Sequence, residues 1–292
     1  MRLAALPAEL RGILAVLLAM GLFGIMDGAG KILAQSYSPV QILMLRMAFS
    51  VPLAVLIVWP HGLRAVVRTA RPGFQLLRTV LLTVEMAIVL LTFRVMPLAD
   101  AHAILAATPL IVTALSVPLL GERVGPRRWL AVGVGFLGVL LIVRPGLGVL
   151  QPGALLALVC TLLYGLYQVM TRIVARVDRA ETSFLFQIAV SAVLLAPLAP
   201  FVWTTPAAAH WPLFLLLAAF GAAGHLLLIR ALSLAPAVVL QPFTYSILLW
   251  AVAVGWLLFG DVPDLATVLG GCLVVAAGLY TVWREQRLRA AG

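Results

Sequence analysis

Apolar runs separated by short polar breaks recur along the whole chain, at about residues 12–34, 40–58, 74–93, 99–120, 129–143, 153–175, 183–203, 211–231, 237–258 and 265–283. Most reach the ~20 residues that a helix needs to cross a hydrocarbon core of ~30 Å. The fifth is short, and the side chains of Arg127 or Arg128 can extend it by reaching back to the interface. The breaks carry Pro, Gly and charge, as in "YSPVQ", "RVMPLAD", "GERVGPRR", "VRPGLGVLQPG" and "GDVPD". The pattern predicts an all-α polytopic membrane protein with ten transmembrane helices and no soluble domain between them.

Composition agrees with the pattern. The 292 residues are 64% hydrophobic and 10% charged, whereas a soluble domain is about half apolar and a quarter charged. The net charge of +10 comes from arginines clustered in the breaks, not spread over one soluble face. That excludes nucleic-acid binding as the reading of the charge and makes it a topology signal. With the amino terminus inside, the inner segments hold 15 of these cations, from Arg2 and Arg11 to Arg284, Arg287 and Arg289. The outer loops hold 2, Arg94 and Arg144. Both termini are therefore expected in the cytoplasm, with the chain in the cell inner (plasma) membrane. The opening "MRLAALPAELRG" resembles a signal peptide, but its apolar run continues without a clear small-residue cleavage site and reads as a retained first helix. Cys160 and Cys272 fall inside apolar runs, and no CxxC or His/Cys spacing suggests a metal or another cofactor.

The chain also repeats itself. "LLGERVGPRRWLAVGVGFLGVLLIV" (119–143) echoes "LFGDVPDLATVLGGCLVVAAGLYTV" (258–282), and "LADAHAILAATP" echoes "LAPAVVLQP". The halves 1–146 and 147–292 read as two five-helix repeats. An odd number of spans per repeat inverts the second copy, an arrangement that in secondary transporters places the binding site near the midplane.

These residues resemble the drug/metabolite transporter superfamily with two EamA-type repeats. The first half supplies Gly24, Lys31, Pro39 and Arg46, then "PLADA" (97–101), Pro109, "GERVGPRRW" (121–129) and "GVLLIVRPG" (138–146). The second supplies "PFTYSILLWAVAVGWLLFGDVPD" (242–264). The resemblance implies alternating access and transport of small organic metabolites. Members of similar length export amino acids, the YddG-type exporters among them, and others move nucleotide-like or vitamin substrates. The first expectation is thus an exporter of amino acids or related amphipathic metabolites; the alternative is a carrier of adenosyl- or riboflavin-like solutes. Two positions depart from the family pattern: Phe23 stands where tryptophan is common, and Asp27 lies outside it.

Ionisable groups inside spans are costly and mark candidate function. Asp27 and Arg46 lie roughly 10 Å and 9 Å below the outer membrane face at 1.5 Å per residue, so they are level. Lys31 is one turn nearer the surface. The expected cluster has Asp27 accepting hydrogen bonds from Arg46, Lys31 or both, which leaves two roles open, neutralising its neighbours or touching substrate. Glu85 falls near the midplane of the third span and is the best candidate for proton coupling or for an ammonium ligand. Arg78 lies seven residues earlier, nearer the cytoplasm. Polar and aromatic candidates are Tyr164, Tyr167 and Gln168 on the sixth span, His225 on the eighth, and Gln241, Tyr245 and Trp250 on the ninth. His102, with Asp100 close in sequence, reads as a gate or a solvated loop residue. Pro109 and Pro242 interrupt corresponding helices of the two halves, and each frees a backbone carbonyl. Glycines of the first, fifth and tenth spans predict close helix contacts.

No HExxH, GxSxG or Walker sequence is present, and no nucleophile–base set forms by spacing, so no catalytic residue is assigned. A secondary transporter is the leading class; a membrane-embedded enzyme or structural subunit is the alternative from another class. The expected partners are a small-molecule substrate and the lipid bilayer, and a monomer or a homodimer both fit.

Overall fold

In the computed structural model the described residues are 7–59, 67–121, 124–143, 152–235, 240 and 243–290. They contain helices and turns and no strand. The helices of eight residues or more among the described residues are α1 (Ala8–Ser36), α2 (Pro39–Val58), α3 (Pro72–Val95), α4 (Leu98–Leu105), α5 (Thr108–Leu120), α6 (Pro126–Val143), α7 (Pro152–Val174), α8 (Ala180–Leu195), α9 (Trp211–Leu234), α10 (Ile247–Phe259) and α11 (Leu265–Ala290). Among the described residues six segments are long and apolar enough to cross a membrane: Ala8–Ser36, Pro72–Val95, Leu98–Leu120, Pro152–Val174, Glu181–Val202 and Ala208–Leu228. Four shorter apolar helices accompany them: Pro39–Pro52, Trp129–Val143, Ile247–Phe259 and Leu265–Thr281.

Helix boundaries follow local chemistry. Ser38 caps α2 by accepting from the Gln41 N–H at 3.2 Å, and Pro39 opens the first turn, where no donor is needed. Gly121 and Gly260 end α5 and α10 in the left-handed region, at φ 68° and 72°. They are the glycines of the two turns whose sequences echo one another, and that backbone region strains any residue with a Cβ.

The helices pair in a regular way. α1 packs mainly on α9, α3 on α7, α6 on α11 and α2 on α8, while α10 contacts α1 and α4. Shape determines these pairs. A Cβ on Gly28 would fall 2.5 Å from Val254 Cγ1, and one on Gly24 would fall 2.6 Å from the Trp250 Cβ, so α1 and α10 meet almost backbone to side chain. α6 and α11 come closer still: a Cβ on Gly270 would lie 2.6 Å from the Gly138 carbonyl oxygen. Gly270→Val is therefore expected to lower stability by about 1–3 kcal/mol, the usual range for overpacking, measured as a loss of melting temperature in detergent.

The buried core is split among several clusters, one around Phe93, Leu98, Ile104, Leu110 and Val274 and another around Leu33, Ile42, Leu43, Leu90 and Phe214. The outside is also apolar: Phe201 is 85% exposed, and Leu249 and Val193 are 73% and 72% exposed. A surface of large hydrophobic residues with charge confined to the ends suits lipid, not water.

Candidate functional site

Small residues draw α1 into the middle of the bundle. Gly21 and Gly24 face Trp250, and Gly28 faces Val254, which brings α10 against one side. On α9 Gly221 and Gly224 leave room for Met26 and Phe23 of α1. Asp27 is thus carried inward, with its side chain 13% exposed.

Its partner is His102 of α4, whose Nε2 lies 3.0 Å from Asp27 Oδ2. The His102 ring packs 5.5 Å from Phe93 on α3. Lys31 takes another course. Its Nζ pairs with Asp261 Oδ2 at 2.7 Å, donates to the Met96 carbonyl at 3.3 Å and lies 4.5 Å from the Phe259 ring centroid. The expected Asp27–Lys31 hydrogen bond is therefore replaced by two separate pairs, Asp27–His102 and Lys31–Asp261. The reason is directional. Lys31 is one turn beyond Asp27 and reaches the end of the bundle, where the loop after α10 supplies a carboxylate. Asp27 meets His102 in the last turn of α4.

Arg46 of α2 is buried. Its Nη2 sits 2.8 Å from where a Cβ on Gly221 would be, so the missing side chain leaves the guanidinium its space. It lies within electrostatic range of both Asp27 and Glu85. Glu85 of α3 is also buried and shares its surroundings with Asp27 and Arg46. Asp27, Arg46 and Glu85, from three helices, thus lie within electrostatic range of one another in the interior. His225 of α9 borders it. Its Nδ1 is 2.7 Å from the Gly221 carbonyl, which can only accept, so Nδ1 carries the proton. The ring meets Phe23 edge-on at 5.2 Å.

Arg78 belongs elsewhere. Its Nε donates to Gln75 at 2.8 Å, Nη1 to Thr171 at 3.1 Å and to the Tyr167 hydroxyl at 3.3 Å, and Nη2 to the Ser183 carbonyl at 2.5 Å. Those contacts clamp α3 to α7 and α8. Tyr164 stacks on Tyr167 at 5.7 Å between ring centroids. Gln168 follows on the same helix, half-buried. On the other half, Trp250 serves as the packing partner of the α1 glycines, and the Tyr245 hydroxyl lies directly over Gly278 of α11. Gln241 and Pro242 lie outside the described residues.

Pro109 stands in the first turn of α5, after the break at Ala106–Ala107. Thr108 Oγ1 donates to the Leu105 carbonyl at 2.6 Å and so satisfies an acceptor at the end of α4. In the other half, residues 243–244 are helical and 245–246 form a turn ahead of α10, with the Ser246 N–H donating to the Phe243 carbonyl at 3.1 Å.

The two ends of the bundle are tied by polar contacts that the sequence reading passed over. At the Lys31 end, Tyr37 bonds His210 at 2.7 Å, and Gln41 bonds the backbone of Thr204 at 2.6 Å and 2.9 Å. At the opposite end Asp178, between α7 and α8, accepts from Thr69, from the Ala70 N–H at 2.9 Å and from Gln75 at 2.9 Å. Partial burial pushes the Asp178 carboxyl up. The hydrogen bonds from Thr69, Ala70 and Gln75, with the Arg71 charge, outweigh it and hold the group below the usual carboxylate range. A carboxyl depressed in the fold stabilises it above the unfolded value, ~3.9, and that contribution is lost as pH falls below there. We expect protection of the 67–72 segment against proteolysis to weaken below about pH 4. Asp178→Ala should abolish that pH response and lower protection at neutral pH.

A sequence pattern for Lys31–Asp261 was present in the "GDVPD" turn, which reads as a loop until the fold places it beside α1. Asp27–His102 could have been found from depth, since both residues lie near the same end of their spans.

Comparison with known proteins places this geometry in context. A model described as the EamA-like transporter family matches residues 10–144 and again residues 151–283. An S-adenosylmethionine uptake transporter of Rickettsia prowazekii is 24% identical over 283 residues, covering 97% of this chain and 96% of that protein. A riboflavin transporter of Rhizobium johnstonii is 31% identical over 228 residues, covering 76% of this chain and 74% of its own length. The pseudopaline exporter CntI of Pseudomonas aeruginosa is 29% identical over 275 residues, with 91% and 94% covered. A crystal structure superposes with a TM-score of 0.65 at 18% identity, covering 96% of this chain and 98% of that one, a likeness of fold alone.

Proposed function

The chain belongs to the EamA-like transporter family, and on that premise we propose that it is a secondary carrier of bulky nucleoside- or vitamin-like metabolites, with the Asp27–Arg46–Glu85 cluster at its working centre. The observation that carries the substrate class is that relatives spanning most of this chain are named for S-adenosylmethionine and riboflavin. The first expectation, amino-acid export, gives way to its alternative on that ground. The interior supports a solute with both a ring system and charge. Phe23 lies against His225, Phe93 against His102, the partner of Asp27, and the Tyr167 ring 5.4 Å from the Arg78 guanidinium. Aromatic faces attract flat rings and cations alike.

In this reading ten spans form two inverted five-helix repeats with both termini cytoplasmic. The repeated glycine turns at Gly121 and Gly260 support the repeat, as does the way α1–α9 contacts mirror those of α3–α7. Glu85 is the coupling carboxylate and Arg46 its fixed countercharge. Asp27, held by His102, keeps the cluster assembled.

Counterflow in proteoliposomes tests the reading. Liposomes preloaded with S-adenosylmethionine or riboflavin should take up the labelled compound against its gradient, and an excess of amino acids should not compete. Competition by amino acids with none by adenosyl or flavin compounds would return the assignment to amino-acid transport. A lack of exchange for every solute would remove the carrier reading.

A further inference from the structure

Away from the interior cluster, one pocket has a described lining that is basic and aromatic. It has a volume of about 340 Å³ and is lined by Arg127 at the start of α6 and by Tyr280, Trp283, Arg284 and Arg287 near the end of α11. The close Gly138–Gly270 crossing sets up this meeting, because it brings the two helices together antiparallel. The Arg287 guanidinium lies 4.4 Å from the Trp283 ring centroid, and Trp283 contacts Tyr280 at 5.9 Å. Three guanidiniums thus converge on an opening flanked by two partly exposed aromatic rings.

We infer that this pocket binds the phosphate of an anionic phospholipid headgroup. Guanidinium forks match phosphate oxygens, and Trp and Tyr settle at headgroup depth because one edge is apolar and the other polar. The same helices continue into bare apolar surface: Leu130, Phe136 and Leu137 on α6 and Leu269 and Leu273 on α11 are exposed. Acyl chains attached to a phosphate held at the arginines would run along that surface, which a soluble phosphate compound would leave uncovered. The basic pocket between helices is the form that anionic-lipid recognition takes elsewhere.

The test is native mass spectrometry of the full chain titrated with phosphatidylglycerol or phosphatidylcholine. Phosphatidylglycerol should be retained preferentially. Replacing two of the three arginines, Arg127→Gln with Arg284→Gln, should weaken its binding by about thirtyfold, at roughly one unit of charge attraction per residue. Arg127→Lys with Arg284→Lys should keep most of it. Excess inorganic phosphate should not displace the lipid. Equal retention of both lipids would overturn the proposal, as would unchanged phosphatidylglycerol binding in a glutamine variant with normal melting temperature. Displacement by inorganic phosphate would assign the pocket to soluble anions and overturn it equally. The lipid comparison and the phosphate competition use the unmodified protein, so they stand even where a variant fails to fold.

Discussion

Arg46→Met is expected to lower the yield of folded protein sharply, with a stability loss of about 3–5 kcal/mol, the range seen when one member of a buried charge set is removed. The side chain is buried between α2 and α9, with Asp27 and Glu85 as its electrostatic neighbours. Removing it leaves two carboxyl groups in one low-dielectric site without a cation between them. The measurement is thermal unfolding followed by size-exclusion chromatography in detergent. A double variant, Arg46→Met with Asp27→Asn, should recover part of the loss because it removes one of the stranded charges. The interaction between the two changes then gives their coupling directly. Equal stability of the single variant and the unmodified protein would show that Arg46 is already solvated and would dismantle the cluster as a unit.

Glu85→Gln should act on function instead. Glutamine keeps the size and hydrogen-bonding capacity of the side chain but cannot take up or release a proton. A gradient of about one pH unit stores roughly 1.4 kcal/mol per proton, enough for tenfold accumulation of a coupled solute. The unmodified carrier should show that accumulation in proteoliposomes. The variant should lose it while still exchanging substrate for substrate in the absence of a gradient. Gradient-driven uptake that survives in Glu85→Gln would move the coupling group elsewhere, with Asp27 next in line. Loss of both activities together, with the fold intact, would make Glu85 a substrate ligand in place of a proton carrier.

Much of this architecture was visible in the hydropathy pattern, because a lipid environment forces backbone groups to pair within each helix and so leaves few alternatives. Length alone located α1, α3 and α7 within a few residues. The interruption at Pro109 was equally legible, since a ring nitrogen has no proton to donate. The pairings were harder. Sequence placed Asp27 and Arg46 at one depth and Lys31 one turn nearer the surface, but depth fixes only one coordinate. Rotation about the helix axis and the neighbour on that face decide which charges touch. Lys31 is one turn from Asp27, yet it reaches a carboxylate 230 positions away along the chain. Arg78 shows the same limit in reverse. Sequence makes Arg78 a buried cation but does not show that its donors fasten to Gln75, Thr171, Tyr167 and the Ser183 carbonyl. What proximity in sequence does convey is which helices can come close, and there the glycines of α1, α6 and α11 were dependable guides.

The Lys31–Asp261 bridge bears on what can pass its end of the bundle. It joins α1 to the segment that follows α10, with the Met96 carbonyl and the Phe259 ring completing the seat of the ammonium. In the proposed carrier, opening at this end would separate the two charges at the mouth. The mouth then presents an ammonium on one lip and a carboxylate on the other. A zwitterion can bridge such lips with its own two charges as it goes through, whereas a simple anion or cation meets one attractive lip and one repulsive one. In the proposed carrier, the bond that closes the end would therefore double as a sieve for charge pattern, set by two residues from opposite halves of the chain.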